Sequence, residues 1–193
     1  MIVNNLAKEI LFSPISDGAD TINIVSGHAT PTMASWYLTT LQEMRRESLI
    51  PALHVNLFVG MTSIEGIHSS WHMQFQRLQQ HIDFESTDIF SCSYVCEIPA
   101  VRSNLYLWEK DGRPVTAFTG SAPFSQSAFL PSHVEDLMEH LDLNASLNYF
   151  NTVSNRSIFC THAEIEDHVR ITNDDFSLKD ADEQNNLEKV TLS

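Results

Sequence analysis

The chain has 193 residues, which suits one domain and leaves no room for two large ones. Hydrophobic residues make up 42%, enough for a substantial core, while a net charge of −14 counts against free-standing nucleic-acid binding. No apolar run approaches the roughly 18–20 residues that cross a bilayer, the N-terminus does not read as a secretory signal, and three cysteines make no disulfide framework; a cytoplasmic protein without a membrane segment is expected.

Residues 4–12 put Leu6, Ile10 and Leu11 at helical spacing, a short helix that Ser13-Pro14 is expected to end before an Asp17-Gly18 turn. The β-branched run 21–26 (TINIVS) reads as a buried strand. Thr30-Pro31 then opens a helix reaching about Arg46, with a polar cap before a proline at the first helical position. A second strand is expected over 54–60 and a second helix through Trp71, Phe75, Leu78 and Ile82. Further strands are expected at 90–98, 105–108 and 115–119, the last two joined by Asp111-Gly112, a strong hairpin signal. A loop follows at 120–125, then a helix over about 132–141 and a last strand at 158–160. Strands alternating with helices predict an α/β sandwich with a mixed central sheet flanked by helices.

The charge is uneven. Residues 164–188 carry nine acids against two bases, half of the net charge, so the remaining body is only mildly acidic. From 173 onward the chain reads as an acidic linker, and the β-like Val190-Thr191-Leu192 suggests that a downstream domain follows. A sharper reading of this arm is a DNA mimic shielding a cleft.

Several motifs favour ordinary structural roles. His68 and His72 lie four apart but lack a Cys, Asp or Glu at a useful offset, so surface or helix-capping roles outweigh a metal site. Cys92 and Cys96 share a strand face without enough ligands for zinc. Ser26-Gly27-His28 lacks the G-x-S-x-G elbow, no phosphate-binding G-x-x-x-x-G-K-[ST] is present, and Arg45, Arg46, Arg77 and Arg113 read as scattered surface charge. Neither a metal nor another cofactor is expected.

The densest signal is residues 101–125, VRSNLYLWEKDGRPVTAFTGSAPFS. It resembles the nuclease domain of the NgoFVII/BfiI-type restriction endonucleases, of the phospholipase D superfamily, with the pattern H-x-K-[apolar]-Y-x-W, a D-G hairpin and a strand ending in G-S-A-N-[FY]-S. IVSGHAT at 24–30, VGMTSIEGIHSSWH at 59–72 and Glu135 are also similar, so the resemblance runs from about residue 5 to about 170. It implies a phospholipase D-like fold over residues 1–172 and metal-independent hydrolysis of double-stranded DNA. In that chemistry one histidine attacks the phosphodiester, a second protonates the leaving oxygen, and lysine and asparagine hold the non-bridging oxygens. With one motif per chain, the resemblance implies a homodimer whose site lies on the two-fold axis. It also implies a C-terminal B3-like DNA-reading domain and, in some relatives, a helicase-like ATPase subunit.

This sequence departs from the pattern where the chemistry is concentrated. Arg102 stands in place of the histidine, Asn104 in place of the lysine and Pro123 in place of the asparagine, while Ser121 and Glu135 match. Arginine stays protonated and cannot serve as nucleophile or proton shuttle near pH 7. Asn104 offers a hydrogen bond without charge, and Pro123 has no side-chain donor. The expected site therefore comprises Arg102, Asn104, Ser121, Glu135 and His133, with Ser103 and Ser125 as further phosphate contacts. Either His133 or His28 has taken over the histidine's role, or Arg102 and Asn104 only grip phosphate in an inactive dimerisation module. An acidic DNA-mimicking interaction protein is the third reading.

Overall fold

The computed structural model describes residues 6–47, 50–80, 89–129, 137–140 and 142–173. A π-helical segment, Ala7–Phe12, runs into a single turn, α1 (Ser13–Ser16). The expected stop at Ser13-Pro14 is therefore overturned. Pro14 falls in the first turn of α1, where its missing N–H costs no hydrogen bond. This N-terminal stretch is pinned from outside: Trp108 Nε1 donates to the Ile10 carbonyl at 2.7 Å and the Tyr37 hydroxyl to that of Leu11 at 3.0 Å.

Strand β1 (Thr21–Ser26) leads into α2 (Pro31–Arg46), capped by the Thr30 hydroxyl, which accepts from the Met33 N–H. Then come β2 (His54–Val59), the turn α3 (Thr62–Glu65), β3 (Ile67–His68), α4 (Ser69–Gln80) and β4 (Ile89–Val95). A hairpin of β5 (Asn104–Lys110) and β6 (Arg113–Gly120) turns at Asp111 and Gly112, whose φ angles of 51° and 72° are the left-handed pair that this two-residue turn demands. After it the chain forms α5 (Gln126–Phe129), β7 (Leu137–Glu139), α6 (Leu143–Ser154), β8 (Ser157–Phe159), α7 (Ile165–His168) and β9 (Ile171–Thr172).

Seven strands form one mixed sheet in the order β7-β6-β5-β1-β2-β4-β8, with β1, β2 and β4 parallel; β3 and β9 pair separately. Alternation along the strands sends side chains to two cores. Ile22, Ile24, Val55, Leu57, Tyr94, Tyr106 and Trp108 join Met33, Tyr37, Leu41 and Phe75 on one face. Val25, Phe58, Val95, Leu105 and Leu107 meet α6 on the other. That second face becomes polar further from α6. There Asn23 donates to Glu109, Asn56 to Asn23 and Ser91 to Asn56, a hydrogen-bonded ladder across four strands.

A second local expectation fails further along the chain. The helix expected over 132–141 is contradicted where it is described, because Leu137, Met138 and Glu139 pair with Gly120, Thr119 and Phe118. The backbone bonds offered along β6 outweigh the helical spacing of Leu137 and Leu141; residues 130–136 and 141 lie outside the described residues. Conversely, α6 was not foreseen, although Asp142 caps the Ala145 N–H and Leu143, Leu147 and Phe150 recur at helical spacing. Ile82 and the arm from 174 also lie outside the described residues.

Of the two histidines, His68 takes the helix-capping role expected of it, whereas His72 neither caps a helix nor lies at the surface. His68 belongs to β3, and its Nδ1 accepts from the Ser70 N–H at the start of α4. His72 is buried, with Nδ1 3.1 Å from the Tyr94 hydroxyl. Burial holds the His72 imidazole below the ordinary histidine value, against a smaller upward pull from Glu166. An unfolded chain therefore binds more protons, and stability should fall as pH drops through about 6.5, levelling off below the lowered value. Urea midpoints measured between neutral and mildly acid pH should show this step, and His72→Phe should flatten it. Cys92, Cys96 and Cys160 are free thiols, and burial raises that of Cys92 well above the ordinary range.

Candidate active site

The parallel strands β1 and β2 end at the same sheet edge where β5 begins and β6 ends, since Val25 pairs with Leu105 and Asn104 with Gly120. Ligands of open α/β sheets bind outside such carboxyl ends. Here two glycines let another backbone segment cross closely. Gly60 donates its N–H to the Ser26 carbonyl at 2.7 Å and accepts from the Val101 N–H at 3.1 Å. At Gly27, a Cβ would stand 2.8 Å from the Arg102 carbonyl oxygen. The segment before β5 is thus laid across the ends of β1 and β2, which fixes Arg102 at the edge.

Asn104 is buried and uses its whole amide as a clasp. Its Nδ2 donates to the carbonyls of Gly120 and Ser121 at 3.1 and 3.0 Å, and its Oδ1 accepts from the Gly27 N–H at 3.1 Å. The Ser26 hydroxyl lies within donating reach of both Asn104 Oδ1 and the His28 carbonyl, and it accepts from the Phe124 N–H. The loop after β6 is held at two more points, with the Tyr106 hydroxyl on the Ala122 carbonyl and the Thr30 N–H on that of Phe124. This wiring makes Asn104 a positioning residue for the 120–124 loop, and its donors are turned inward rather than toward a ligand.

The other expected residues divide. Arg102, Ser103 and Ser121 are exposed at this edge. Among the described residues Arg102 has no side-chain hydrogen bond or ion pair, so its guanidinium is available to an anion. Ser103 Oγ lies 2.6 Å from the Tyr149 hydroxyl of α6. Ser125 is buried, with its hydroxyl 3.1 Å from that of Ser127. His133 and Glu135 lie outside the described residues. Arg113 begins β6 and Arg45 and Arg46 end α2, each far along the sheet from this edge, consistent with scattered charge.

Two neighbours were not singled out from sequence. Tyr149 belongs to the unforeseen α6. Glu65 closes α3, which the Met61 N–H ties to the Gly27 carbonyl at 3.0 Å and the Thr62 hydroxyl ties to that of Val95 at 2.8 Å. This brings the Glu65 carboxylate within 3.6 Å of His28 Nδ1. The motif VGMTSIEG held the signal for Glu65, as an acid beside a glycine shortly after a strand end. Among the described residues no three His, Cys, Asp or Glu side chains gather where a metal ion could sit, and no helix is long and apolar enough to cross a membrane.

No curated protein matches the chain. Among solved structures, NucT from Helicobacter pylori is similar at 13% identity and a TM-score of 0.50, over 82% of this chain and 96% of that one. Nuc from Salmonella typhimurium, a phospholipase D family member, aligns at 14% identity and a TM-score of 0.49, over 79% of this chain and 90% of that one. The fold is that of the phospholipase D-type nucleases, as expected. The model of the NgoFVII restriction endonuclease N-terminal PLD domain matches residues 4–167, which include the whole seven-stranded sheet, and the chain belongs to that family.

Proposed function

We propose that this domain binds the DNA phosphodiester backbone at the β1–β2–β5–β6 edge and hydrolyses it without a metal, two copies placing their edges about a two-fold axis. Double-stranded DNA is the substrate, and sequence reading belongs to a separate domain beyond the acidic arm. Arg102 carries this reading: a cation without a side-chain partner among the described residues, held by its backbone across the ends of β1 and β2. A guanidinium there meets a non-bridging phosphate oxygen with a charge-assisted hydrogen bond and neutralises charge as it builds. Ser103 and Ser121 add hydroxyls beside it.

Arg102→Ala should weaken binding of a short DNA duplex at low salt by about 10- to 100-fold and reduce the slope of log affinity against log salt by about one. Equal affinity and slope for the two proteins would remove Arg102 from the interface. A second reading, phosphate gripping without cleavage, is favoured by the inward-turned Asn104 amide and by Pro123, which lacks a donor. It predicts the same loss of binding but no cleavage by either protein.

A further inference from the structure

We infer that His28 and Glu65 form the proton-transfer pair of this site, with His28 acting on the attacking water and Glu65 orienting it; this rests on the phosphodiester-hydrolase reading above. The site needs a titratable group that Arg102 cannot supply. Among the described histidines only His28 stands at this edge without a structural role for its ring. His68 caps α4, His72 is buried against Tyr94, and His140 Nδ1 lies 2.9 Å from the Ser146 hydroxyl. His54 begins β2 at the far end of the strand, and His162 and His168 face one another near α7.

His28 follows Gly27, whose backbone touches that of Arg102, so the imidazole and the guanidinium rise from adjoining backbone at one edge. Both partners of the pair are held by main-chain bonds rather than by each other. Gly27 accepts from Met61, Gly60 donates to Ser26, and Glu65 donates its N–H to Met61 at 2.9 Å. Arg170 Nη2 donates to the Glu65 carbonyl at 3.0 Å, fixing the end of α3 from its other side. The imidazole and carboxylate are each more than half exposed, as a group that must meet a polymer requires. Nδ1 lies 3.6 Å from the carboxylate, so a small turn of either side chain brings them within hydrogen-bond reach, with Nε2 then the acceptor.

The step balances with water as co-reactant. Arg102 holds a non-bridging oxygen. Water gives one proton to His28 Nε2 as its oxygen bonds to phosphorus, and the P–O ester bond breaks with its electron pair on the leaving oxygen. That oxygen takes a proton from solvent, and His28 returns its own to solvent.

The test uses bis(p-nitrophenyl) phosphate and duplex DNA with the full chain in EDTA. His28→Ala should lower kcat on both substrates about 100-fold or more with KM little changed, and added imidazole should restore part of it. Glu65→Gln should lower kcat roughly tenfold at unchanged KM. Rescue separates proton transfer from mere folding, which a melting curve also checks. If the parent cleaves and Arg102→Ala does not, while His28→Ala cleaves at the parent rate or gains nothing from imidazole, the pair is wrong and the hydrolase reading stands. If the folded parent cleaves neither substrate, both fall.

Discussion

Replacing Gly60 with alanine is expected to destabilise the protein by on the order of 3 kcal/mol or more and to lower its melting temperature by about 6–12 °C. The new methyl would fall inside van der Waals contact with the Val101 carbonyl oxygen and only 2.9 Å from the carbonyl carbon. These are backbone atoms in a segment fixed on both sides, and Gly60 itself bonds to Ser26 and Val101. Relief requires moving the 101–102 segment away from β2, which displaces Arg102. DNA affinity should therefore fall with stability, although Gly60 touches no ligand. Gly112→Ala makes the comparison, because its Cβ would meet nothing within 4 Å and suffers only from a φ of 72°, a penalty of about 1–2 kcal/mol. If urea midpoints put the two variants level, the close crossing at Gly60 is not what holds the edge.

Asn104→Ala is the second large effect. It leaves the buried Gly27 N–H without its partner, at about 1–3 kcal/mol, and removes two hydrogen bonds to the Gly120 and Ser121 carbonyls, at about 0.5–1.5 kcal/mol each. A loss of roughly 3 kcal/mol or more is expected, and the 120–124 loop should exchange its amides faster than the β5–β6 hairpin behind it. Asn104→Asp should do no better, because it keeps the acceptor, loses both donors and buries a charge against two carbonyls. The same wiring bears on any attempt to rebuild the family motif. Asn104→Lys would place an ammonium in a position now spent on the clasp, so its melting temperature should fall as well. Hydrogen exchange of the Gly120–Phe124 amides reads the clasp directly, and unchanged protection in Asn104→Ala would mean that the loop is held by Tyr106, Thr30 and Ser26 alone.

The central fold was legible because its signals are local and agree. The TINIVS run, the Thr30-Pro31 cap and the Asp111-Gly112 turn each specify one backbone geometry, and strands, helix and hairpin follow them. The edges were harder. Leu137 and Leu141 match a helix, yet Leu137 belongs to a short edge strand, because the deciding bonds come from β6 rather than from its own sequence neighbours. The site shows the same division. The motif singled out Arg102, Asn104 and Ser121, and the backbone of all three lies at one sheet edge. That Asn104 turns inward depends on Gly27 and Ser26, nearly eighty residues away. The approach of Glu65 to His28 depends likewise on how α3 is tied to Gly27 and Val95. Spacing within one segment carries neither fact.

The decisive measurement is cleavage of supercoiled plasmid in EDTA at low salt, by the parent chain beside Arg102→Ala with both shown to be folded. Nicked and linear products are expected from the parent, and a rate at least about 100-fold lower from the variant. A folded parent that leaves the plasmid intact, or an Arg102→Ala protein that cuts at the parent rate, would overturn phosphodiester hydrolysis at the Arg102 edge.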